Sequence, residues 1–156
     1  MTFEHLVKNI QKLKDVDEEL CTKLRAYCYD LVGACQEVHR DIGPFVNELT
    51  YQDALLVELN RRGYTSEDVI KEYYFTVEYK GVKLTHPHKV DFFVTKKKVY
   101  IECKAINALG PEQRQQLWNY MRLTGIRIGI LYNFAPFHDQ CERYYLDPDK
   151  QVIYAF

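Results

Sequence analysis

The sequence predicts an α/β domain in which helices precede a β-sheet. Residues 3–62 carry apolar side chains at helical intervals, whereas the chain from Val69 onward is rich in β-branched and aromatic residues. The 156 residues match the usual length of one domain, and no repeat or Pro/Gly/Ser-rich linker divides them. We therefore expect a single domain over residues 1–156, with N-terminal helices over 1–42 and a core over 43–156.

Three helices are predicted in the first part of the chain. Apolar residues recur at helical spacing from about Phe3 to Glu19 and again from about Cys21 to Asp41. The dipeptide Gly43-Pro44 interrupts this pattern, because proline keeps the residue before it out of helical geometry. A third helix then runs from about Asn47 to Arg62 and stops at Gly63, a residue that commonly ends helices.

Three runs with the composition of β-strands follow these helices. They are KEYYFTVEYKG, VKLTHPHKVDFFVTKKK and VYIECKAI. Turns at Lys80-Gly81 and at Thr95–Lys98 separate the runs, which predicts antiparallel neighbours. This part of the chain is therefore expected to form the first strands of the sheet.

A fourth helix and two more strands complete the predicted order. Pro111 suits the first turn of a helix, and the pattern continues to about Thr124 before Gly125 stops it. Residues 126–134 read as a buried strand and residues 151–154 as a short last one. The expected order is helices, three strands, a helix and two strands.

Composition excludes a membrane-spanning chain. No run approaches the roughly 20 apolar residues that a membrane helix needs, and the N-terminus lacks the apolar run of a secretory signal. We therefore expect a cytoplasmic protein without a membrane partner. The cysteines are odd in number and none lies in a C-x-x-C pair, which predicts free thiols.

Charge is distributed unevenly along the chain, although its formal net value is only −1. Residues 1–60 hold 6 Lys or Arg and 11 Asp or Glu, whereas residues 61–156 hold 15 and 11. The carboxyl-terminal part is therefore the part that can face phosphates. Within it, Lys96, Lys97 and Lys98 form a turn that suits either solvent or a phosphate backbone.

An ionic face is predicted on two neighbouring strands. Because successive side chains of a strand point to opposite faces, VYIECKAI separates an apolar set from Glu102 and Lys104. In the preceding strand, Asp91 lies opposite the apolar residues, which are Val90, Phe92 and Val94. Across a hairpin, Asp91 is therefore expected to meet Glu102 and Lys104.

Two carboxylates beside a lysine have a recognisable chemistry. They supply hard oxygen ligands for Mg²⁺ or Mn²⁺, and the lysine is a cation that can orient or deprotonate a water near a phosphate. This set suits hydrolysis of phosphodiester bonds. The alternative is an ordinary ion pair between strands, because Glu-x-Lys is a common sequence.

Four segments carry a wider resemblance, namely EVHRDIGPFVNELTYQDAL, KVDFFV, VYIECKAI and QLWNYMRLTGIRIGILYNF. Together they cover roughly Leu31 to Phe134, and they resemble the GxxExxY family of the PD-(D/E)XK nuclease superfamily. The resemblance implies a restriction-endonuclease-like αβββαβ core with extra N-terminal helices. It also implies a nuclease that depends on Mg²⁺ or Mn²⁺ and acts on nucleic acid, with DNA favoured over RNA.

The resemblance assigns roles to the strand residues. Asp91, Glu102 and the backbone carbonyl of Cys103 would bind the metal ion, and Lys104 would position the attacking water. His86-Pro87-His88 is a weaker source of metal ligands, because the sequence offers no cysteine partner at zinc spacing. The expected metal centre therefore consists of residues from two strands.

The resemblance also assigns helix residues to the site. Glu48 and Gln116 belong to the catalytic set by this carry-over, with Tyr51 and Tyr120 as accessory residues. Glu48 and Tyr51 are three positions apart and Gln116 and Tyr120 four, so each pair shares one helix face. For the two tyrosines, a place in the core with a satisfied hydroxyl is an equal alternative.

One departure from the family pattern concerns the loop before Glu48. The pattern has glycine three residues before the glutamate, and this chain has Phe45 there. A remodelled loop is therefore expected. The alternative is a catalytically inactive module that binds nucleic acid, or that binds a protein partner through its acidic N-terminal helices. The sequence does not decide between a monomer and a homodimer.

Overall fold

A computed structural model describes residues 10–156 and shows helices packed on both faces of a mixed β-sheet. Its helices are α1 (Glu18–Ile42), α2 (Glu48–Arg61) and α3 (Pro111–Thr124). Its strands are β1 (Gln11–Lys12), β2 (Ile70–Phe75), β3 (Glu78–Tyr79), β4 (Val82–Lys83), β5 (His88–Val94), β6 (Val99–Lys104), β7 (Ile128–Asn133), β8 (Gln140–Asp147) and β9 (Val152–Ala155). The predicted α/β class is confirmed.

The main sheet has seven strands in the order β1-β9-β8-β7-β6-β5-β2. The β6–β7 and β1–β9 pairs are parallel and the other pairs are antiparallel. A parallel pair needs a crossover connection, and α3 supplies it between β6 and β7. The succession α2, β2, β5, β6, α3 and β7 therefore follows the expected αβββαβ order, with the small β3–β4 hairpin inserted.

Local sequence explains where the helices begin and end. The Asp17 side chain accepts a hydrogen bond from the Leu20 N–H at 3.0 Å and so caps α1. Asn47 caps α2 in the same way by accepting from the Thr50 N–H at 2.9 Å. Gly125, with φ 77°, ends α3 in the left-handed conformation that glycine adopts without strain. The predicted bounds of α2 and α3 are thus confirmed to within one residue.

Two hydrophobic clusters lie on opposite faces of the sheet. The first joins α1 and α2 to the sheet face that carries Phe92, Ile101 and Cys103. The second joins α3 to the other face, through residues such as Tyr100 and Leu131. Because helices cover both faces, β6 is buried along almost its whole length, and the ionic residues at its end are held in a dry environment.

The predicted first helix is wrong where the structure describes it. Residues 1–9 lie outside the described residues, but Gln11–Lys12 forms β1, parallel to β9, and Leu13–Asp15 forms a short 3₁₀ turn. Helical structure begins only at Glu18, after the Asp17 cap. The short apolar pattern before this cap was compatible with a helix, but pairing with β9 and burial of Leu13 decided otherwise.

Strand β8 was absent from the predicted order. It carries charged and polar residues among its apolar ones, so neither alternation nor a continuous apolar run marks it. Its charge is compensated by tertiary contacts, since Glu142 on β8 accepts two hydrogen bonds from Arg114 on α3, each at 2.8 Å. The strand is therefore defined by its neighbours more than by its own sequence.

Two other expectations concern cysteines and membranes. All five cysteines are free, as predicted, and four of them are buried. None of the helices within residues 10–156 is long and apolar enough to span a membrane.

Candidate active site

The candidate site lies where β5 and β6 separate. Their regular pairing ends at Phe92 and Ile101, one residue before Asp91 and Glu102. Here the Asp91 N–H donates to Glu102 Oε1 and the Cys103 N–H donates to Asp91 Oδ2, each at 2.9 Å. Each carboxylate thus accepts a hydrogen bond from a backbone N–H of the neighbouring strand. The structure brings Asp91 and Glu102 together, as the ionic face predicted.

The regular alternation of β5 breaks at Asp91. Val90 packs with Tyr100 in the cluster under α3, whereas Phe92 packs in the cluster on the opposite face. On the partner strand β2, Glu72 lies between the paired positions 71 and 73 and has φ 57°. The prediction that Val90 and Phe92 share a face is therefore wrong, because the backbone is distorted where the site begins.

Burial dominates the electrostatics of the two carboxylates. Asp91 is 6% exposed and Glu102 3% exposed. Burial, followed by the charge of Asp91, raises the pKa of Glu102 to about 8. Burial also raises the pKa of Asp91. Lys104 Nζ lies 3.8 Å from Glu102 Oε2 and opposes both shifts, and the charge of Lys89 also opposes the shift of Asp91, yet the pKa of both acids stays raised.

Lys104 is held from the side of α3. Its Nζ donates to Gln116 Oε1 at 3.0 Å, and Gln116 Nε2 donates to the Tyr120 hydroxyl at 3.1 Å. Burial, followed by the charge of Glu102, raises the pKa of Tyr120. The structure therefore brings Gln116 to the lysine and places Tyr120 one hydrogen bond further away.

Glu48, the first residue of α2, lies close enough to Asp91 and Lys104 for their charges to act on its carboxyl group. Burial and then the charge of Asp91 raise its pKa, and Lys104 opposes the shift. Glu48 Oε1 accepts a hydrogen bond from Gln52 Nε2 at 3.1 Å. Glu48 and Asp91 are therefore neighbours in space although they are distant in sequence, and the role of Glu48 in the site stays a prediction.

Gln52 is a site neighbour that the sequence reasoning missed. Its side chain is 2% exposed, and its Oε1 has no hydrogen-bond partner among residues 10–156. Its place four residues after Glu48, on the same helix face, was the available signal. Because Gln52 is buried, it fixes the orientation of the Glu48 carboxylate.

Tyr51 has a different place from the other helix residues. Its hydroxyl donates to the Gly43 carbonyl at 2.6 Å and accepts from the Val46 N–H at 3.1 Å, while its ring stacks on Phe134 at 5.0 Å. The structure does not bring Tyr51 into contact with the carboxylates. It ties down the loop that enters α2 and so positions Glu48 indirectly.

Phe45 lies in that loop with φ 64°. This is the left-handed region, which costs a residue with a side chain roughly 1–2 kcal/mol and suits glycine. The side chain is 78% exposed, and the backbone N–H donates to the Ala135 carbonyl at 3.0 Å. The loop therefore has a backbone that glycine would adopt without strain, although phenylalanine occupies the position.

A pair of substitutions at Phe45 tests this strain. We expect Phe45→Gly to be more stable than Phe45→Ala by about 1 kcal/mol, because both remove the exposed ring and only glycine relieves the left-handed backbone. Chemical denaturation gives the free energies of unfolding. The control is Val57, an exposed residue in the interior of α2, where the glycine variant should instead be less stable than the alanine variant by about 1 kcal/mol. If the glycine variant were the more stable one at both positions, or the less stable one at both, the assignment of backbone strain to Phe45 would be contradicted.

Asn133 and Gln140 form a second group that the sequence did not reveal. Asn133 is buried at the end of β7, and its side chain exchanges hydrogen bonds with the Ile106 backbone at 3.0 and 2.9 Å. Gln140 Oε1 accepts from the Leu109 N–H and from Asn133 Nδ2, each at 3.0 Å. These amides fix the connection between β6 and α3, and hence the position of Gln116 relative to Lys104.

The donor set fits a divalent cation with few protein ligands. Among residues 10–156 no group of three or more His, Cys, Asp or Glu side chains is arranged to hold a metal ion. Mg²⁺, however, is usually bound through only one or two carboxylates and keeps several waters. Asp91 and Glu102 provide hard oxygens whose charge the nearby lysines offset only in part. Burial raises the pKa of the Cys103 thiol, which leaves its carbonyl as the ligand.

The raised carboxyl pKa values predict how metal-free stability depends on pH. Between the ordinary carboxyl pKa of about 4 and the raised value of about 8 for Glu102, the folded protein binds more protons than the unfolded chain. The free energy of unfolding should therefore fall as the pH rises from about 5 to 8. Thermal melts in chelator measure this fall. Glu102→Gln should remove most of it, and an unchanged slope in that variant would contradict the prediction.

A family model described as the PD-(D/E)XK nuclease superfamily matches residues 25–144. No curated protein matches the chain. A solved structure titled "Crystal structure of SSO0001" aligns at 20% identity with a TM-score of 0.43, over 64% of this chain and 54% of that one. This chain thus spans about half the length of that structure.

Proposed function

Because this chain belongs to the PD-(D/E)XK nuclease superfamily, we propose that it hydrolyses phosphodiester bonds of nucleic acid with the help of a divalent cation. The observation that carries the proposal is the buried pair of Asp91 and Glu102 beside Lys104. Burying two acids whose charge the nearby lysines offset only in part is costly for stability alone. The same arrangement is what a metal-dependent hydrolase needs.

Asp91, Glu102 and the carbonyl of Cys103 are the groups we assign to the cation. When bound, Mg²⁺ or Mn²⁺ would supply Lewis-acid chemistry to the phosphate and to a water. The two carboxylates are held by backbone N–H donors, so their remaining oxygens have fixed directions. Little reorganisation is then needed at the moment of reaction.

Lys104 is assigned to the attacking water. Its ammonium group is held by Gln116 Oε1 at 3.0 Å and lies 3.8 Å from Glu102 Oε2. It can therefore donate a hydrogen bond to a water or a phosphate oxygen on the side of the carboxylates. Gln116 fixes this orientation, and we assign Tyr120 to the support of Gln116.

Glu48 is assigned to a water at the rim of the site. Its raised pKa makes it a better proton acceptor than an ordinary glutamate near neutral pH. Gln52 holds one of its oxygens, which leaves the other for a water. Tyr51 contributes through the loop that it anchors.

Narrower assignments are also part of the proposal. We assign the chain to the GxxExxY family on the sequence segments quoted above, and we propose DNA as the substrate more than RNA. The five free thiols support a reducing compartment, for which we propose the cytoplasm. We also propose that residues 1–156 form one domain, with its core at residues 43–156.

An assay of the purified protein tests the proposed reaction. Single-stranded and double-stranded DNA and RNA are incubated with Mg²⁺, with Mn²⁺ or with chelator. We expect cleavage with metal and none in chelator, and we expect Glu102→Ala to be inactive because half of the carboxylate pair is gone. No cleavage of any form under any condition would favour the inactive binding module.

A further inference from the structure

A cavity of about 410 Å³ lies directly beside the proposed catalytic residues. It is lined by residues of β5 and α3, among them His88, Gln115, Gln116, Asn119 and Tyr120. Gln116 is the residue that holds Lys104 Nζ, so this cavity and the ionic site share a wall. The volume falls within the roughly 300–1,000 Å³ of pockets that bind small molecules or groups of that size.

One wall of the cavity is aromatic and fixed. The His88 ring stacks on Phe75 with centroids 5.3 Å apart, and the Tyr120 ring meets Phe75 edge-on at 5.5 Å and His88 at 6.0 Å. Phe75 and His88 are also paired across β2 and β5. Contacts with Phe75 hold both rings in place. The His88 and Tyr120 rings are inclined to each other by 62°, so a flat group can stack on one ring while it meets the other at an angle.

The rest of the lining favours an uncharged flat group over a phosphate. The lining contains Glu112 and amide side chains, with no lysine or arginine. The side chain of Gln115 has no hydrogen-bond partner among residues 10–156, and Asn119 Oδ1 accepts one bond at 3.1 Å. Amide side chains are the groups that pair with the edges of nucleobases.

From this arrangement we propose that the cavity binds an unpaired nucleobase next to the scissile phosphate, which makes single-stranded or locally unpaired nucleic acid the substrate class. The base stacks on the ring of His88, meets the ring of Tyr120 at an angle, and presents its polar edge to Gln115 and Asn119. A base within a duplex has its faces stacked and its pairing edge occupied, so it cannot enter. This inference rests on the proposed nuclease function, which places the phosphate at Lys104.

Binding in chelator tests the subsite without cleavage. Fluorescence anisotropy of the full chain compares a short single-stranded oligo(dA) with an oligomer of the same length that has only abasic residues. The phosphates are identical, so the difference reports the base alone. We expect the parent to bind oligo(dA) about tenfold more tightly, the usual scale of one stacked base.

Variants assign that difference to the cavity. Gln115→Ala with Asn119→Ala, and separately His88→Leu, should each reduce the preference for oligo(dA) and leave binding of the abasic oligomer unchanged. The matched control is Gln36→Ala with Asn60→Ala, which removes the same two side chains from exposed positions of α1 and α2. Thermal melts check that each variant is folded.

The outcomes separate this proposal from the nuclease proposal. Equal binding of the two oligomers by the parent, or an equal loss of preference in the control, would overturn the base subsite even if the protein cleaves DNA. Base-dependent binding that disappears in the cavity variants supports the subsite even if no substrate is cleaved. A duplex bound and cleaved as well as the single strand would also overturn it.

Discussion

Replacing Lys104 by alanine should lower the rate of metal-dependent cleavage by about 10²–10³-fold, the usual cost of removing one preorganised group that stabilises the transition state. The ammonium group lies between Gln116 and Glu102 and is the only cation that forms a hydrogen bond or ion pair with either of them within residues 10–156. Cleavage rates at saturating Mn²⁺ measure the effect. Lys104→Arg should not restore the rate, because a larger planar group cannot take the same position.

The affinity for the metal separates a catalytic lysine from a structural one. Lys104→Ala should bind Mn²⁺ at least as tightly as the parent, because a nearby positive charge is removed and both carboxylates remain. Lys96→Ala, in the turn between β5 and β6, is the control and should keep the parent rate. If the Lys104→Ala variant cleaved at the parent rate, residues other than Lys104 would have to carry out the catalysis.

Replacing Asp91 by asparagine should remove the stabilisation that Mn²⁺ gives the protein without destabilising the metal-free form. At about a hundred times its dissociation constant, a ligand stabilises a protein by about 2.7 kcal/mol, or roughly 5–11 °C in a chain of this size. The variant should lose this shift. In chelator its melting temperature should be unchanged or higher, because one of two buried, raised-pKa carboxyls is neutralised.

The hydrogen bonds around residue 91 explain why Asp91→Asn should not destabilise the metal-free protein. Asparagine keeps a side-chain oxygen for the Cys103 N–H, and the Asp91 N–H still donates to Glu102. If Asp91 belonged to an ordinary structural ion pair, the melting temperature of the variant in chelator would be lower than that of the parent. Mn²⁺ would then leave the melting temperature of the parent unchanged. Asp68→Asn, at a half-buried residue of the turn before β2, serves as the control and should leave the Mn²⁺ shift intact.

The ionic residues could be predicted because strand periodicity is a local property. Glu102 and Lys104 alternate with buried apolar residues in β6, and their face follows from sequence alone. The same reasoning failed for Val90, since the alternation of β5 is interrupted at Asp91, where side chains replace backbone partners. A distortion of this kind depends on the neighbouring strand, which periodicity does not contain.

The residues that support the site could not be identified from sequence, because their roles result from contacts between elements that are distant in sequence. Gln52 acts on Glu48 within one helix, but its burial results from the packing of α2. Asn133 and Gln140 hold the connection between β6 and α3 only because β7 and β8 lie beside it. For Tyr51, the sequence left two roles open, and hydrogen bonds to Gly43 and Val46 show that its hydroxyl anchors the loop before α2.

By itself, the sequence determined the α/β class, the bounds of α2 and α3, and the meeting of Asp91 with Glu102, because caps, glycine stops and strand alternation act within a few residues. Only the tertiary structure decided that residues 11 and 12 form a strand and that β8 exists, because both are stabilised by pairing with distant strands. It also decided the electrostatics of the site. Burial between two helical layers raises the carboxyl pKa values, and burial is a property of the assembled fold.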